Sequence, residues 1–166
     1  LSTFIIGLAF GTLIVGPLSD SFGRKKILYF GAIIYVLFSL VCVFATNLET
    51  MIFARACQGI GAAAPRIVSQ ALIRDLYSGR EMARISSFVM MIFSIVPAVA
   101  PLLGAGMISV FDWRAIFIVF IIFALISCIW TGLRVKEPLT PDRRVPFQLE
   151  VFKLAFLEII SLGIVR

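Results

Sequence analysis

Histidine is absent from the sequence, and charged residues make up only 14% of its 166 positions. Without histidine, the chain cannot form histidine-ligated haem, histidine-based zinc sites or histidine general bases. Cysteine occurs three times, always inside an apolar stretch, at Cys42, Cys57 and Cys128. This wide spacing and odd number predict neither a disulfide framework nor a metal site, so we interpret the three thiols as small apolar fillers.

Acidic side chains are also scarce, and their distribution is uneven. The nine aspartates and glutamates lie between long apolar runs, at the ends of those runs or in the C-terminal segment. An enzyme needs a nucleophile with a base, or a metal cluster, and runs without His, Asp or Glu supply neither. We therefore expect neither an enzyme nor a metal protein. Any carboxylate that carries protons would lie outside these runs, with Glu158 the one candidate in the chain.

Hydrophobic residues, in contrast, form 61% of the chain. A soluble domain of this length cannot cover so much apolar surface, because about half of its residues would still face water. The net charge of +6 and the isoelectric point near 9.7 come with this apolar background, so they do not indicate nucleic-acid binding. The composition predicts an integral membrane protein with lipid around it.

Five long apolar runs predict five membrane-spanning helices. They cover residues 1–18, 27–46, 51–73, 85–110 and 115–133. Each run has at least 18 residues, which is long enough to cross the hydrocarbon core. None carries turn signals every 8–12 residues, as the strands of a β-sandwich would. The predicted fold class is an all-α transmembrane bundle.

Basic residues alternate between the breaks and so predict the orientation of the spans. The first break holds three lysines and arginines, the third holds three and the segment after the fifth span holds five. The second and fourth breaks hold one between them, Arg114. Since lysine and arginine are enriched on the cytoplasmic side, the first span runs from outside to inside.

The C-terminal part follows a different pattern. Residues 135–148 are rich in proline and charge and are interpreted as a cytoplasmic linker. Residues 149–166 have apolar positions at helical spacing, which favours an amphipathic helix in the membrane interface. The alternative is the start of a sixth span, although Glu158 would be costly there. Because the sequence starts and stops inside helical patterns, we expect a fragment.

The third span carries two arginines, Arg55 and Arg66. Eleven residues bring a helix about 20° past three full turns, so both side chains lie on one face. Gln58 and Ser69 lie within about 60° of that line, which predicts a polar stripe that faces the bundle interior or a water-filled cavity. For Arg55, near the outer end, the alternative is an anchor that extends to the interface.

The first break contains the most specific motif of the chain. It follows the pattern GxxxDxxGRK from Gly16, with Asp20, Gly23 and Arg24 at the defining positions. Gly23 allows a tight turn, and Asp20 is close enough to Arg24 to pair with it. The pattern resembles the signature loop between the second and third helices of the major facilitator superfamily. Ser21 stands where that family often has a basic residue.

Two further segments resemble motifs of the same family in register. Arg55, Gln58 and Gly59 match the RxxQG motif of its fourth helix. The end of the fourth span resembles the GPxxGG motif of drug:proton antiporters, with alanine at two glycine positions. The matching residues are Pro97, Pro101 and Gly104. A plain kink is the alternative explanation for the two prolines.

The whole chain resembles the Bcr/CflA (bicyclomycin/chloramphenicol resistance) branch of the superfamily, as helices two to six plus the central linker. This resemblance also rests on Arg74-Asp75, Asp112-Trp113-Arg114 and Lys136-Glu137-Pro138. It implies a monomeric twelve-helix transporter in the bacterial inner membrane. Such a protein exports small hydrophobic drugs in exchange for protons, and the proton gradient drives it without a cofactor. The alternative is a carrier of a nutrient or metabolite within the same superfamily.

The resemblance also implies roles for individual residues. A cytoplasmic gate would contain Gly16, Asp20, Gly23, Arg24, Lys25 and Asp75. A cavity and proton-coupling group would contain Arg55, Gln58, Gly59 and Arg66, with Arg55 favouring the ionised form of a nearby acid. The antiporter motif would line the contact between the two halves of the transporter. Arg66 matches no motif of the family, and its place in the stripe suggests a preference for anionic or zwitterionic substrates.

Overall fold

The computed structural model describes residues 2–135 and residue 137. Within that part of the chain, the regular secondary structure consists of five helices. They are α1 (Ser2–Phe22), α2 (Arg24–Phe44), α3 (Leu48–Leu76), α4 (Gly79–Val110) and α5 (Arg114–Arg134). The predicted all-α bundle is confirmed. The predicted interfacial helix over 149–166, and nearly all of the predicted linker over 135–148, lie outside the described residues.

The helices extend beyond the predicted apolar runs at several ends. The prediction starts the second span at residue 27 and the fourth at residue 85, whereas α2 begins at Arg24 and α4 at Gly79. Arg24 and Lys25 therefore lie in the first turn of a helix and not in a break. Long basic side chains reach the membrane interface from the end of a span, so the helix continues after the apolar run has stopped.

The five helices differ in how apolar they are. Length and composition mark four of the described helices, α1, α2, α4 and α5, as able to cross a membrane. The remaining helix, α3, has 29 residues but contains Arg55, Gln58 and Arg66, which lower its mean hydropathy. This helix lies between α1 and α2 and packs along both of them. Its buried face consists mainly of small residues: Ala54, Gly59, Gly61, Ala63, Ala64 and Ala71.

The direction of the helices follows from which residues meet. Lys25 near the start of α2 bonds the Gly132 carbonyl near the end of α5, and Arg114 at the start of α5 bonds the Val43 carbonyl near the end of α2. These two helices are therefore antiparallel. The end of α1, the start of α2 and the end of α5 meet at one end of the bundle, which the charge pattern predicts to be cytoplasmic.

Glycines allow α1 and α3 to approach each other closely. A Cβ added at Gly7 would overlap the backbone carbonyl of Ala56, and one added at Gly59 would overlap the backbone carbonyl of Phe4. At Gly11 it would lie 2.7 Å from the Ala63 Cβ. Lipid provides no hydrophobic force between helices, so this contact relies on close backbone packing.

We expect the substitution Gly7→Ala to destabilise the protein by about 1–3 kcal/mol, because the new methyl group must displace the backbone of α3. Gly16→Ala is the matched control on the same helix, since a Cβ at Gly16 has no atom within 4 Å. Alanine is the better helix former, so the control should keep or raise stability. Thermal unfolding of the purified protein in detergent measures both. Equal stability of the two variants would contradict the close contact.

Helix α4 makes few contacts with the rest of the described structure, and those it makes are with α3 and α5. None of its residues is buried against another described helix. Gly104 and Gly106 have no neighbouring atom within 4 Å of a Cβ built on them. The packing partners of α4 are therefore not α1 or α2.

Candidate functional site

A cluster of charged and polar side chains, centred on Arg24, occupies the end of the bundle that the charge pattern predicts to be cytoplasmic. Its Nη1 lies 2.5 Å from the Asp20 Oδ1, and its Nε lies 3.0 Å from the Asp75 Oδ2. Nη1 also donates to the Ser19 hydroxyl at 2.7 Å. The Arg24 side chain is 10% exposed, so the two carboxylates and the hydroxyl replace most of its water. We call Ser19, Asp20, Arg24 and Asp75 the cytoplasmic cluster.

Gly23 explains how this cluster forms. It is the single residue between α1 and α2, and its φ of 104° and ψ of 146° belong to a region that residues with a Cβ rarely adopt. Its amide donates to the Ser19 carbonyl at 3.2 Å. The last turn of α1 therefore lies directly beside the first turn of α2, which brings Asp20 to Arg24.

The remaining predicted gate residues lie around this cluster. The carbonyl of Gly16 accepts a hydrogen bond from Ser19 at 2.8 Å, so Gly16 supports the cluster through Ser19. The Nζ of Lys25 donates to the Gly132 carbonyl at 3.2 Å and links the start of α2 to α5. The structure thus brings the predicted residues of α1, α2 and α3 to one end of the bundle.

A second polar group lies deeper in the bundle and starts at Arg55. Its Nη1 donates to the Gln58 Oε1 at 2.9 Å, and the Gln58 Nε2 donates to the Ser39 hydroxyl of α2 at 2.7 Å. Ser39 in turn donates to the Tyr35 carbonyl at 2.6 Å. Gln58 and Ser39 are fully buried. We call Arg55, Gln58 and Ser39 the buried polar chain.

Two aromatic rings flank the Arg55 guanidinium. Its carbon lies 5.7 Å from the centroid of the Phe4 ring on α1 and 4.9 Å from that of the Phe117 ring on α5. Arginine is attracted to the face of an aromatic ring, and the attraction strengthens where water is excluded. Arg55 is half-buried and contacts side chains from α1, α3 and α5, while Gln58 links it to α2.

The structure divides the predicted polar stripe of α3 into two parts. Gln58 is buried against α2, whereas Arg66 and Ser69 are exposed. Gln58 and Ser69 each follow an arginine by three residues, so both lie on the same side of the helix, and α2 covers that side at Gln58 but not at Ser69. That Arg66 faces the bundle interior or a water-filled cavity stays a prediction. Gly59 packs against the backbone of α1. Arg66 makes no hydrogen bond or ion pair with any residue that the structure describes.

A family model confirms what these motifs and this geometry indicate. The Major Facilitator Superfamily (MFS) model matches residues 1–163, nearly the whole chain. The chain belongs to the major facilitator superfamily.

Individual members of the superfamily show the same relationship. The chain is 36% identical over 148 residues to the uncharacterized MFS-type transporter YdgK of Bacillus subtilis, which covers 88% of this chain and 37% of the relative. It is 34% identical over 157 residues to a bicyclomycin resistance protein homolog of Haemophilus influenzae, at 95% and 39% coverage. It is 36% identical over 118 residues to a chloramphenicol resistance protein of Pseudomonas aeruginosa, at 70% and 28%. The chain spans less than half the length of these relatives.

The antiporter-like segment of this superfamily member lies on the exposed helix α4. Pro97 and Pro101 are both exposed, and α4 continues through them as one helix. Gly104 has open space where a Cβ would be. No hydrogen bond or ion pair joins these residues to another predicted site residue in the described structure, so their place between two halves stays a prediction.

Several residues of the two polar groups were not singled out from the sequence. Ser39 and the rings of Phe4 and Phe117 look like ordinary members of apolar runs, and only the register between helices brings them to the α3 residues. Ser19 lies inside the GxxxDxxGRK pattern, at a position that the pattern leaves open. Among the described residues, no group of three or more His, Cys, Asp or Glu side chains could hold a metal ion.

Proposed function

We propose that the protein carrying this chain exports small hydrophobic drugs across the bacterial inner membrane in exchange for protons, by alternating access. Membership of the superfamily and the names of the bicyclomycin and chloramphenicol resistance relatives support drug export. The observation that carries the proposal is the cytoplasmic cluster, in which one buried arginine is shared between carboxylates of two different helices. We further propose that the transporter acts as a monomer in lipid and uses no cofactor.

In this proposal, the cytoplasmic cluster is the inside gate. Asp20 keeps 46% of its side chain exposed while it pairs with Arg24, so it can bind a second partner on the other half of the transporter. Asp75 holds the other side of the guanidinium and sets its direction. Closing the gate would then require only that Asp20 gains a partner, because the arginine is already fixed.

The buried polar chain is the proposed element of proton coupling. Within the described helices, the acidic residues lie at or near helix ends, so the acid that exchanges protons belongs to another part of the protein. A cation such as Arg55 favours the ionised form of an acid close to it. The hydrogen bond to Gln58 and the two aromatic rings hold the guanidinium in one position. Its charge can therefore favour the ionised form of that acid to a constant extent.

The test is drug susceptibility of a transporter-deficient bacterial host that expresses the complete gene encoding this chain. We expect higher resistance to chloramphenicol or bicyclomycin and a loss of that gain when the proton gradient is collapsed. The Asp20→Asn variant serves as the gate-deficient comparison. Unchanged resistance across hydrophobic antibiotics, together with uptake of a metabolite, would contradict drug export and support the nutrient-carrier alternative.

A further inference from the structure

Glu137 makes a contact that neither its motif nor the proposed gate explains. Its Oε1 accepts a hydrogen bond from the backbone N–H of Arg24 at 3.0 Å, and its Oε2 accepts one from the backbone N–H of Lys25 at 2.9 Å. The residue is 113 positions away from Arg24 in the sequence. One carboxylate thus bonds the first two amides of α2.

These two amides need an acceptor from outside their helix. The first N–H groups of a helix have no partner within it, and a side chain at the preceding residue usually accepts from them. In α2 that preceding residue is Gly23, which has no side chain. The conformation of Gly23 favours glycine, so the turn cannot supply its own cap. Glu137 performs the capping function from beyond α5.

The negative charge of Glu137 stabilises the start of α2 in addition to the two hydrogen bonds. The amino end of a helix carries partial positive charge, and a carboxylate at that position is stabilising. The side chains near this end of α2 are also basic, with Arg24, Lys25 and Lys26 in succession. The Lys25 Nζ bonds the Gly132 carbonyl, so residue 25 is tied to the end of α5 through its side chain and to Glu137 through its backbone.

Both the backbone and the side chain of Arg24 are therefore held in place. Glu137 holds its backbone, while the cytoplasmic cluster holds its guanidinium. We propose that Glu137 is a positioning residue that caps α2 and thereby holds Arg24 between Asp20 and Asp75. Its role in the gate rests on the proposed function, whereas the cap and its effect on the Arg24–Asp75 pair do not. Through this contact the segment after α5 acts directly on the gate arginine.

The first test measures the cap by amide hydrogen exchange in the purified complete protein. The Glu137→Gln variant keeps the shape of the side chain, but it loses the charge and one of the two acceptors. We expect exchange at Arg24 and Lys25 to accelerate roughly fivefold, which corresponds to about 1 kcal/mol of lost capping. The remainder of α2 should exchange as in the wild type. Wild-type exchange at both amides would overturn the cap, and equal acceleration along all of α2 would indicate general loosening and overturn it too.

The second test measures positioning by a double-mutant cycle in thermal unfolding. If Glu137 holds Arg24 for Asp75, the effects of Glu137→Gln and Asp75→Asn are not additive. The control cycle pairs Glu137→Gln with Asp112→Asn, which removes an exposed carboxylate from the opposite end of the bundle and should be additive. Additive effects in both cycles would overturn the positioning role. Glu81→Gln, an exposed glutamate in the first turn of α4, controls for the substitution itself.

The third test follows chloramphenicol efflux from proteoliposomes. We expect Glu137→Gln to lower the efflux rate roughly fivefold and Glu81→Gln to leave it unchanged. Wild-type efflux from Glu137→Gln would overturn the link to the gate, even though the transporter itself functions. A wild-type protein that moves neither chloramphenicol nor bicyclomycin would contradict the proposed drug export instead. In that case the first two tests still decide whether Glu137 caps α2 and positions Arg24.

Discussion

Replacing Arg24 with glutamine should abolish drug efflux while the amount of protein in the membrane stays near the wild-type level. The guanidinium bonds Asp20, Asp75 and Ser19 at once, and a glutamine amide cannot replace two ion pairs. Because the proposed gate cannot lock without the guanidinium, we expect efflux to fall at least about 100-fold, which corresponds to about 2.7 kcal/mol. The fold should survive, because Asp20 and Asp75 keep 46% and 28% of their side chains in water.

Efflux assays measure the loss of transport, and a Western blot of the membrane fraction measures the amount of protein, so the two measurements separate a gate defect from a folding defect. Arg24→Lys should retain only part of the activity, since an ammonium group lacks the planar fork that reaches both carboxylates. Arg80→Gln is the control, because Arg80 is an exposed arginine at the cytoplasmic start of α4. Wild-type efflux from Arg24→Gln would remove the gate assignment from the cytoplasmic cluster.

The second large effect is expected at Arg55. Replacing it with glutamine removes a cation from beside the proposed proton-binding acid, so the ionised form of that acid is favoured less. The pH dependence of efflux should therefore move towards higher pH by roughly one unit. The measurement is the initial efflux rate from proteoliposomes over a series of pH values.

Ser39→Ala tests whether the buried polar chain positions Arg55. It removes the acceptor of the Gln58 amide, so the pH profile should move in the same direction by a smaller amount. Ser87→Ala is the matched control, because the Ser87 hydroxyl is exposed and bonds the Ala83 carbonyl of its own helix. An unchanged profile in Arg55→Gln would leave Arg55 as an interface anchor and nothing more.

The sequence predicts contacts well where they are local or follow from helix direction. Asp20 and Arg24 are four residues apart around a glycine, so their pairing can be predicted from spacing alone. The family resemblance places Asp75 in the same gate as Arg24, and the charge pattern agrees, because it puts the ends of the first and third spans on the same side of the membrane. Neither inference requires the register of one helix against another.

Contacts that depend on the register of one helix against another cannot be predicted from spacing or helix direction. The bond between Gln58 and Ser39 requires α2 and α3 to meet at one particular height, which the glycines and alanines of α3 determine. The hydrogen bonds of Glu137 depend on where the chain turns after α5. For α4 the sequence predicts a span correctly, but the described helices bury none of its residues and so do not show its packing register.

The small, polar surface of α3 has a consequence for the way in which the protein enters the membrane. An isolated helix with Arg55, Gln58 and Arg66 partitions into lipid poorly, because charged residues at the centre of a span cost about 2.5–3.5 kcal/mol each on insertion scales. Helices α1 and α2 precede it and are long and apolar enough to cross a membrane. During synthesis they are therefore in place to receive α3, and the Ser39 hydroxyl offers its Gln58 amide an acceptor that lipid lacks. The order of the helices along the chain thus lowers the free-energy barrier to insertion of the least apolar one.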